Sequence, residues 1–279
     1  MKKSVRTIYG AVLDTAKRFN EPLPILPNST LNQKFGIAEE ETLRAGEYPH
    51  TQYFAIGLKG TIITALTNGL YKTAYREYNP SWASLLQHVP FVMRPADQPL
   101  TAAERENYRG RRIEEHNGQY YEAWYLRKLD TTSGSVGVEL RRLIDGNIVP
   151  SAWLPGLSEL NPEPVAANPN QVIRTGDDYL AATRRFQLKF TPNEIQEVID
   201  CVNIIYGDPD LANLTEFGLV SGVDRTIQGN FGGINQNYTE AVYAQITDFV
   251  KSTISCPNSL LGATIFADAG SNEPLLIVN

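Results

Sequence analysis

Phe186, Leu188 and Phe190 alternate with Gln187 and Lys189, a period of two that predicts a strand with one buried and one wetted face. TPNE at 191–194 follows. It offers a side-chain oxygen for a helix N-cap, a proline where its missing N–H costs nothing, and a carboxylate placed to close a capping box. Ile195, Val198, Ile199, Val202 and Ile205 then recur at spacings of three and four, which predicts an amphipathic helix of about four turns. Burying those five side chains is worth roughly 7–15 kcal/mol gross, at about 1.5–3 kcal/mol each. Gly207 suits the left-handed position after the helix, and Pro209 blocks its continuation. A second strand is expected over 214–220, ended by Ser221-Gly222, so this stretch reads as strand, covering helix, strand.

Toward the N-terminus, residues 4–19 put Val5, Ile8, Val12, Ala16 and Phe19 on one side of a helix, with Lys17 and Arg18 near its C-terminal end. Residues 21–37 carry three prolines and no usable period, so they are expected to run extended over a surface as an arm. On this reading, removing 1–35 leaves a folded core and impairs assembly. From 36 to 94 short strands dominate, clearest at 52–58 and 89–93, with a helical turn over 62–70 ended by Asn68-Gly69. Thr101 and Glu104 form a second capping box that opens a short helix.

Asn117-Gly118 suits a type I′ hairpin turn. After it, Tyr120, Glu122, Trp124 and Leu126 alternate with Tyr121, Ala123 and Tyr125, and a strand with aromatics on both faces is expected to be covered on both sides. Another strand pair is predicted over 136–143 and 148–153, turning at 145–147. Four prolines in 154–171 mark a linker. The glycine- and asparagine-rich stretch 225–238 is expected as a surface loop, 238–250 as a helix, and 263–279 as a final hairpin. The expected fold is α+β and mostly β, a two-lobed β-sandwich-like architecture with a few short helices and extended arms. Its parts are an N-terminal helix and arm at 1–35, a β-rich domain at 36–155, a proline-rich linker at 156–171 and a second β domain at 172–279.

Composition adds constraints. The chain has 279 residues, 42% hydrophobic and 20% charged, which is ordinary globular protein long enough for one large or two modest domains. A net charge of −6 argues against a surface built mainly for nucleic acid or anionic lipid. No apolar run approaches the ~18 residues of a membrane span. Lys2 and Lys3 begin the chain as a signal peptide would, but Asp14, Lys17 and Arg18 interrupt any apolar region after them, so a soluble intracellular protein is expected. Of the two cysteines, Cys201 falls inside the amphipathic helix and reads as a small buried thiol, and neither it nor Cys256 belongs to a metal-binding cluster.

Candidate chemistry is sparse. His50, His88 and His116 stand far apart in unlike contexts, without the spacing of a zinc site. Asp208, Asp210 and Asn213 lack the central glycine and terminal glutamate of a calcium loop and read as a capped turn. Glu39, Glu40 and Glu41 read as a solvated run. Gly229, Gly232 and Gly233 lack the lysine and hydroxyl residue of a phosphate loop. No catalytic, cofactor-binding or metal residue is therefore expected, and no enzyme. Fourteen tyrosines and ten phenylalanines suit large interfaces or, alternatively, a carbohydrate groove. Exposed Trp124 or Trp153 beside two carboxylates would mark the groove, whereas tryptophans buried in subunit contacts would mark assembly.

The N-terminal helix, proline-rich arm, many short strands and the TEFGLVSGVDR stretch at 215–225 together resemble virion structural proteins of tailed bacteriophages. Over 186–223 the chain is most similar to baseplate wedge proteins, through an E-x-G-L-x-x-G strand at Glu216, Gly218, Leu219 and Gly222. The resemblance covers roughly the last third of the chain. It implies a mostly β subunit repeated by the tail's rotational symmetry, joined to other phage tail proteins, with no catalytic residue and no cofactor. It places the protein in the virion tail, and in the host cytoplasm during assembly. A neck or connector position in the same particle is the alternative.

Overall fold

The computed structural model describes every residue except 1, 68–69, 133, 146, 164–172, 232–233 and 279. Its elements run β1 (Lys2–Arg6), α1 (Ile8–Phe19), α2 (Leu31–Phe35), β2 (His50–Gly57), β3 (Thr61–Ala65), β4 (Tyr71–Tyr75), β5 (His88–Val89) and β6 (Val92–Pro95). After them come α3 (Ala102–Arg105), β7 (Tyr108–His116), β8 (Gln119–Lys128), β9 (Val136–Ile144), β10 (Asn147–Ala152), α4 (Leu157–Leu160) and β11 (Ile173–Phe190). The chain closes with α5 (Pro192–Tyr206), β12 (Asn213–Phe231), β13 (Ile234–Ser255) and β14 (Ala263–Val278). The fold is α+β and mostly β.

Two compact units result, one from residues 1–132 with 187–267, the other from 133–186 with 268–279. The expected linker at 156–171 falls inside the second unit rather than between two sequential domains, and its residues 164–171 lie outside the described residues. Strand pairing explains the interleaving in the first unit. There β2, early in the chain, is hydrogen-bonded to β12, far later, from Glu216 opposite Gly57 to Gly222 opposite His50.

In the first unit the sheet runs β1-β13-β12-β2-β8-β6, with β5 on β2 and β7 on β8. The helix after Phe190 forms as its sequence dictates. Thr191 caps it with a full capping box to Glu194, Gly207 ends it at φ 74°, and Ile195, Val198, Ile199, Cys201 and Val202 are buried. It packs against β5 and β6. Phe54, Phe91, Phe190 and Phe217 form an aromatic cluster in this core, with the Phe54 and Phe91 rings edge to face at 5.0 Å and Phe190 meeting Phe217 at 6.4 Å. Asn117 at φ 53° and Gly118 at φ 78° make the expected primed turn between β7 and β8.

Several expectations are corrected. Residues 4–19 are not one helix: Ser4 to Arg6 pair with Val250 to Asp248 of β13, and only then does Thr7 cap α1. The proline-rich arm contains α2, opened by a Thr30–Gln33 capping box, and its Leu31 (1% exposed), Phe35 and Ile37 belong to the core. Residues 61–65 are a strand rather than a helical turn, while Asn68-Gly69 lies outside the described residues. The strand at 214–220 does not stop at Ser221-Gly222 but continues to Phe231. The stretch 225–238 is a hairpin end, with Thr226 opposite Thr239 and Phe231 opposite Ile234; Gly232 and Gly233 lie outside the described residues. Residues 238–250 are strand, not helix, and 263–278 form one strand rather than a hairpin.

In the second unit the sheet runs β10-β9-β11-β14. β9 and β10 pair from Asn147 opposite Ile144 to Ala152 opposite Glu139, across the expected turn, where Asp145 takes φ 50°. Gly270 of β14 is needed for close approach: a Cβ there would fall 2.1 Å from the Ala182 carbonyl oxygen.

Candidate assembly surfaces

The four residues of E-x-G-L-x-x-G have local packing duties on β12. The Glu216 carboxylate is fully buried and accepts N–H bonds from Leu86 (2.8 Å), Gln87 (2.9 Å) and Lys59 (3.0 Å), so it ties two loops to the strand. Burial raises this carboxyl above the ordinary range against the opposing pull of those amides. A Cβ on Gly218 would press Ile246 at 3.2 Å and Leu85 at 3.3 Å, Leu219 is buried, and a Cβ on Gly222 would meet the Tyr53 ring at 3.2 Å.

A second buried carboxylate repeats the device. Glu240 of β13 accepts from Gly110 (2.6 Å), Ala241 (2.7 Å) and Arg111 (3.0 Å), fastening β7, and burial again pushes its carboxyl up. Nearby, Arg109 grips Asp224 with two N–H bonds of 2.7 and 2.8 Å, and the Tyr53 hydroxyl donates to the same carboxylate. Burial alone would raise the Asp224 carboxyl, but these bonds outweigh it and hold the group below the usual range. In the sequence Glu216 stands out only as part of the resemblance motif, and Asp224 and Glu240 do not stand out as ligands of anything. The remaining signal is position, since Glu216 and Glu240 stand inside the apolar strand runs LTEFGLV and TEAVYA. Their oxygens serve backbone amides and an internal cation, which is scaffold chemistry.

The residues weighed for chemistry do not converge. His88 is half-buried; its Nε2 accepts from Leu85 N–H at 3.1 Å and lies 3.0 Å from Ser84 Oγ, and loss of hydration around the ring, aided by Lys34, depresses it to about 3. His50 Nδ1 sits 3.2 Å from Lys17 Nζ, and His116 Nε2 sits 3.1 Å from Glu114. Among the described residues, no group of three His, Cys, Asp or Glu side chains is arranged to hold a metal ion. Asp208 accepts from Asp210 N–H at 3.0 Å, making the capped turn its spacing suggested. Of the three adjacent glutamates Glu41 is not simply solvated: it accepts from Arg225 at 2.7 Å. Cys201 and Cys256 are both buried free thiols. A cleft of about 250 Å³ is lined by Phe54, Arg127, Lys128, Asp130, Gln187 and Lys189, but Arg127 pairs with Glu194 at 2.7 Å and Lys128 stands 3.5 Å from Asp224. Two of its three cations thus already face carboxylates.

Apolar surface left in water is the more telling feature. β3 and β4 form a two-stranded ribbon paired with no other described strand, on which Ile63 is 69% and Tyr71 75% exposed, with Leu66 and Leu70 also exposed. The second unit exposes Val136, Leu143, Ile148, Val149, Leu154 and Leu157. Trp124, by contrast, is buried within the first unit, and Trp153 is half-buried.

A family model matches residues 1–279. The chain belongs to the family of unknown function DUF7208. No curated protein and no solved structure matches it.

Proposed function

We propose that this DUF7208 chain is a structural subunit of a tailed-phage virion, placed in the tail baseplate and acting by protein–protein assembly rather than catalysis. The observation that carries the reading is the clustering of exposed large apolar side chains on the β3–β4 ribbon and across β9 and β10 at the edge of the second unit's sheet, instead of around a pocket. Surface of that kind is what association buries. The wedge-like strand at Glu216 to Gly222 supports the baseplate as the place. Its partners are other tail proteins and further copies of itself, without cofactor, membrane or nucleic acid, in the virion tail and in the host cytoplasm before assembly.

The carbohydrate reading loses its best platform, because Trp124 is 1% exposed and donates its indole N–H to Glu122 at 3.3 Å. A buried ring cannot stack on a sugar. Light scattering on the purified protein, alone and mixed with candidate tail proteins, tests the proposal. A co-complex of defined mass is expected; a chain that joins none of them and instead binds glycans overturns it.

A further inference from the structure

The register of the β3–β4 ribbon fixes which backbone groups point outward. Leu66 N–H donates to the Leu70 carbonyl at 2.7 Å and Arg76 N–H to the Gly60 carbonyl at 2.8 Å. Thr61 stands opposite Tyr75 and Ile63 opposite Thr73, so the hydrogen-bonded pairs fall on Gly60, Ile62, Thr64 and Leu66. The N–H and C=O groups of Thr61, Ile63 and Ala65 therefore face away from β4, on a side where no described strand pairs and where residues 62–67 are exposed.

Two other open edges, those of β10 and β4, are blunted. On β10, Trp153 N–H bonds to Val138 C=O, which makes Pro150, opposite Arg141, an outward position with no N–H to offer. β4 carries Lys72. Charged and proline residues of this kind keep edges from pairing. β3 has neither: residues 60–67, GTIITALT, are uncharged, β-branched at five positions and without proline.

We propose that the outer edge of β3 pairs antiparallel with β3 of a second copy of this chain, about a two-fold axis through Ile63. Read against itself, TIITA sets Ile63 opposite Ile63, Ile62 opposite Thr64 and Thr61 opposite Ala65, and no charge meets a like charge. In that register the outward groups match, so Thr61, Ile63 and Ala65 each donate one and accept one bond. A lone two-stranded ribbon is marginal in water, whereas the pair makes a four-stranded sheet. The inference deepens the assembly reading and rests on it, but the two fail separately.

The test uses the intact chain. Light scattering is expected to give twice 31.0 kDa at about 100 µM, a concentration at which any tighter association shows. Ile63→Pro removes one outward N–H and no ribbon bond, and is expected to return the mass to 31.0 kDa; Thr73→Pro, the equivalent change on β4, leaves the pair intact. Independently of how the proline variant folds, Ile63→Cys is expected to give a disulfide-linked dimer on oxidation and Thr73→Cys none, the native thiols being buried. A 31.0 kDa unmodified chain overturns the pairing, as does a dimer that survives Ile63→Pro or links only through Thr73→Cys. A monomer that still joins tail proteins sinks the pairing alone; a β3-linked dimer that joins none upholds it and sinks the assembly reading.

Discussion

Asn32 holds the backbone of β13 at Ala244: its Oδ1 accepts the Ala244 N–H at 2.7 Å, while its Nδ2 donates to the Ala241 carbonyl at 2.9 Å. Between them Tyr243 takes φ 53°, and its hydroxyl accepts from Leu26 N–H and donates to the Pro24 carbonyl, both at 3.2 Å. The proline-rich arm is thus fastened to a bulge in the sheet. Asn32→Ala takes the side-chain partner from three buried backbone groups, the Ala244 N–H and the Ala241 and Ile37 carbonyls, at about 1 kcal/mol or more each. Urea unfolding should show a loss of about 2–4 kcal/mol with an unchanged slope; a loss under about 0.5 kcal/mol would mean water replaces the amide.

The same contacts reverse the expectation for truncation. Removing 1–35 takes Leu13, Leu23, Leu31 and Phe35 out of the first unit, where all four are buried, and uncovers Val242 and Tyr243. Those four side chains represent roughly 6–12 kcal/mol of burial, comparable with the roughly 5–15 kcal/mol stability of a whole domain. The truncated chain should be insoluble or lack near-ultraviolet circular dichroism. A cooperative thermal transition in a soluble truncated protein is the contrary result.

α5 and the β7–β8 turn were legible because one cap, one proline and one Asn-Gly pair each dictate a local geometry that packing then accepts. β13 was not, for a physical reason. Its pairing with β12 shifts register three times, between Leu214 and Glu216, Leu219 and Val220, and Ser221 and Val223. Each extra residue resets the alternation, so Val242, Ile246 and Phe249 fall at spacings of four and three, the signature of a helix. Burial on both faces removed the polar half of the pattern as well. The hairpin expected over 263–279 is instead one strand that passes through Gly270, where the missing Cβ serves close approach rather than a turn. The exposed character of β3 could not be read at all, because TIITA has the composition of a buried strand.

Glu216→Gln tests the loop-tying carboxylate. The amide keeps one acceptor but turns an NH₂ group toward backbone donors from Lys59, Leu86 and Gln87. A destabilisation of about 2–4 kcal/mol is expected, with faster hydrogen exchange at residues 59 and 86–87. Exchange unchanged at those amides would show that the loops are held otherwise.

Asp248 makes stability depend on pH. It is buried opposite Arg6, one carboxyl oxygen has no hydrogen-bond partner, and burial raises the group to about 6, opposed by Thr247 and Arg6 and reinforced by Asp14. The folded protein therefore keeps a proton that the unfolded chain releases from its ordinary value of 3.8. Stability from this group is present below about 4, falls as pH rises toward about 6, and is then flat, a total of at most about 3 kcal/mol. His88 acts in the opposite sense: held neutral in the fold, it costs stability as pH falls below its ordinary 6.5. That contribution is common to both proteins when Asp248→Asn is compared with the unmodified chain. Urea unfolding at pH 4, 5, 6 and 7 should show the variant gaining on the unmodified chain as pH rises, reaching its full advantage near neutrality. A difference that stays constant across those four pH values would mean that Asp248 is already ionised in the fold, with Arg6 outweighing its burial.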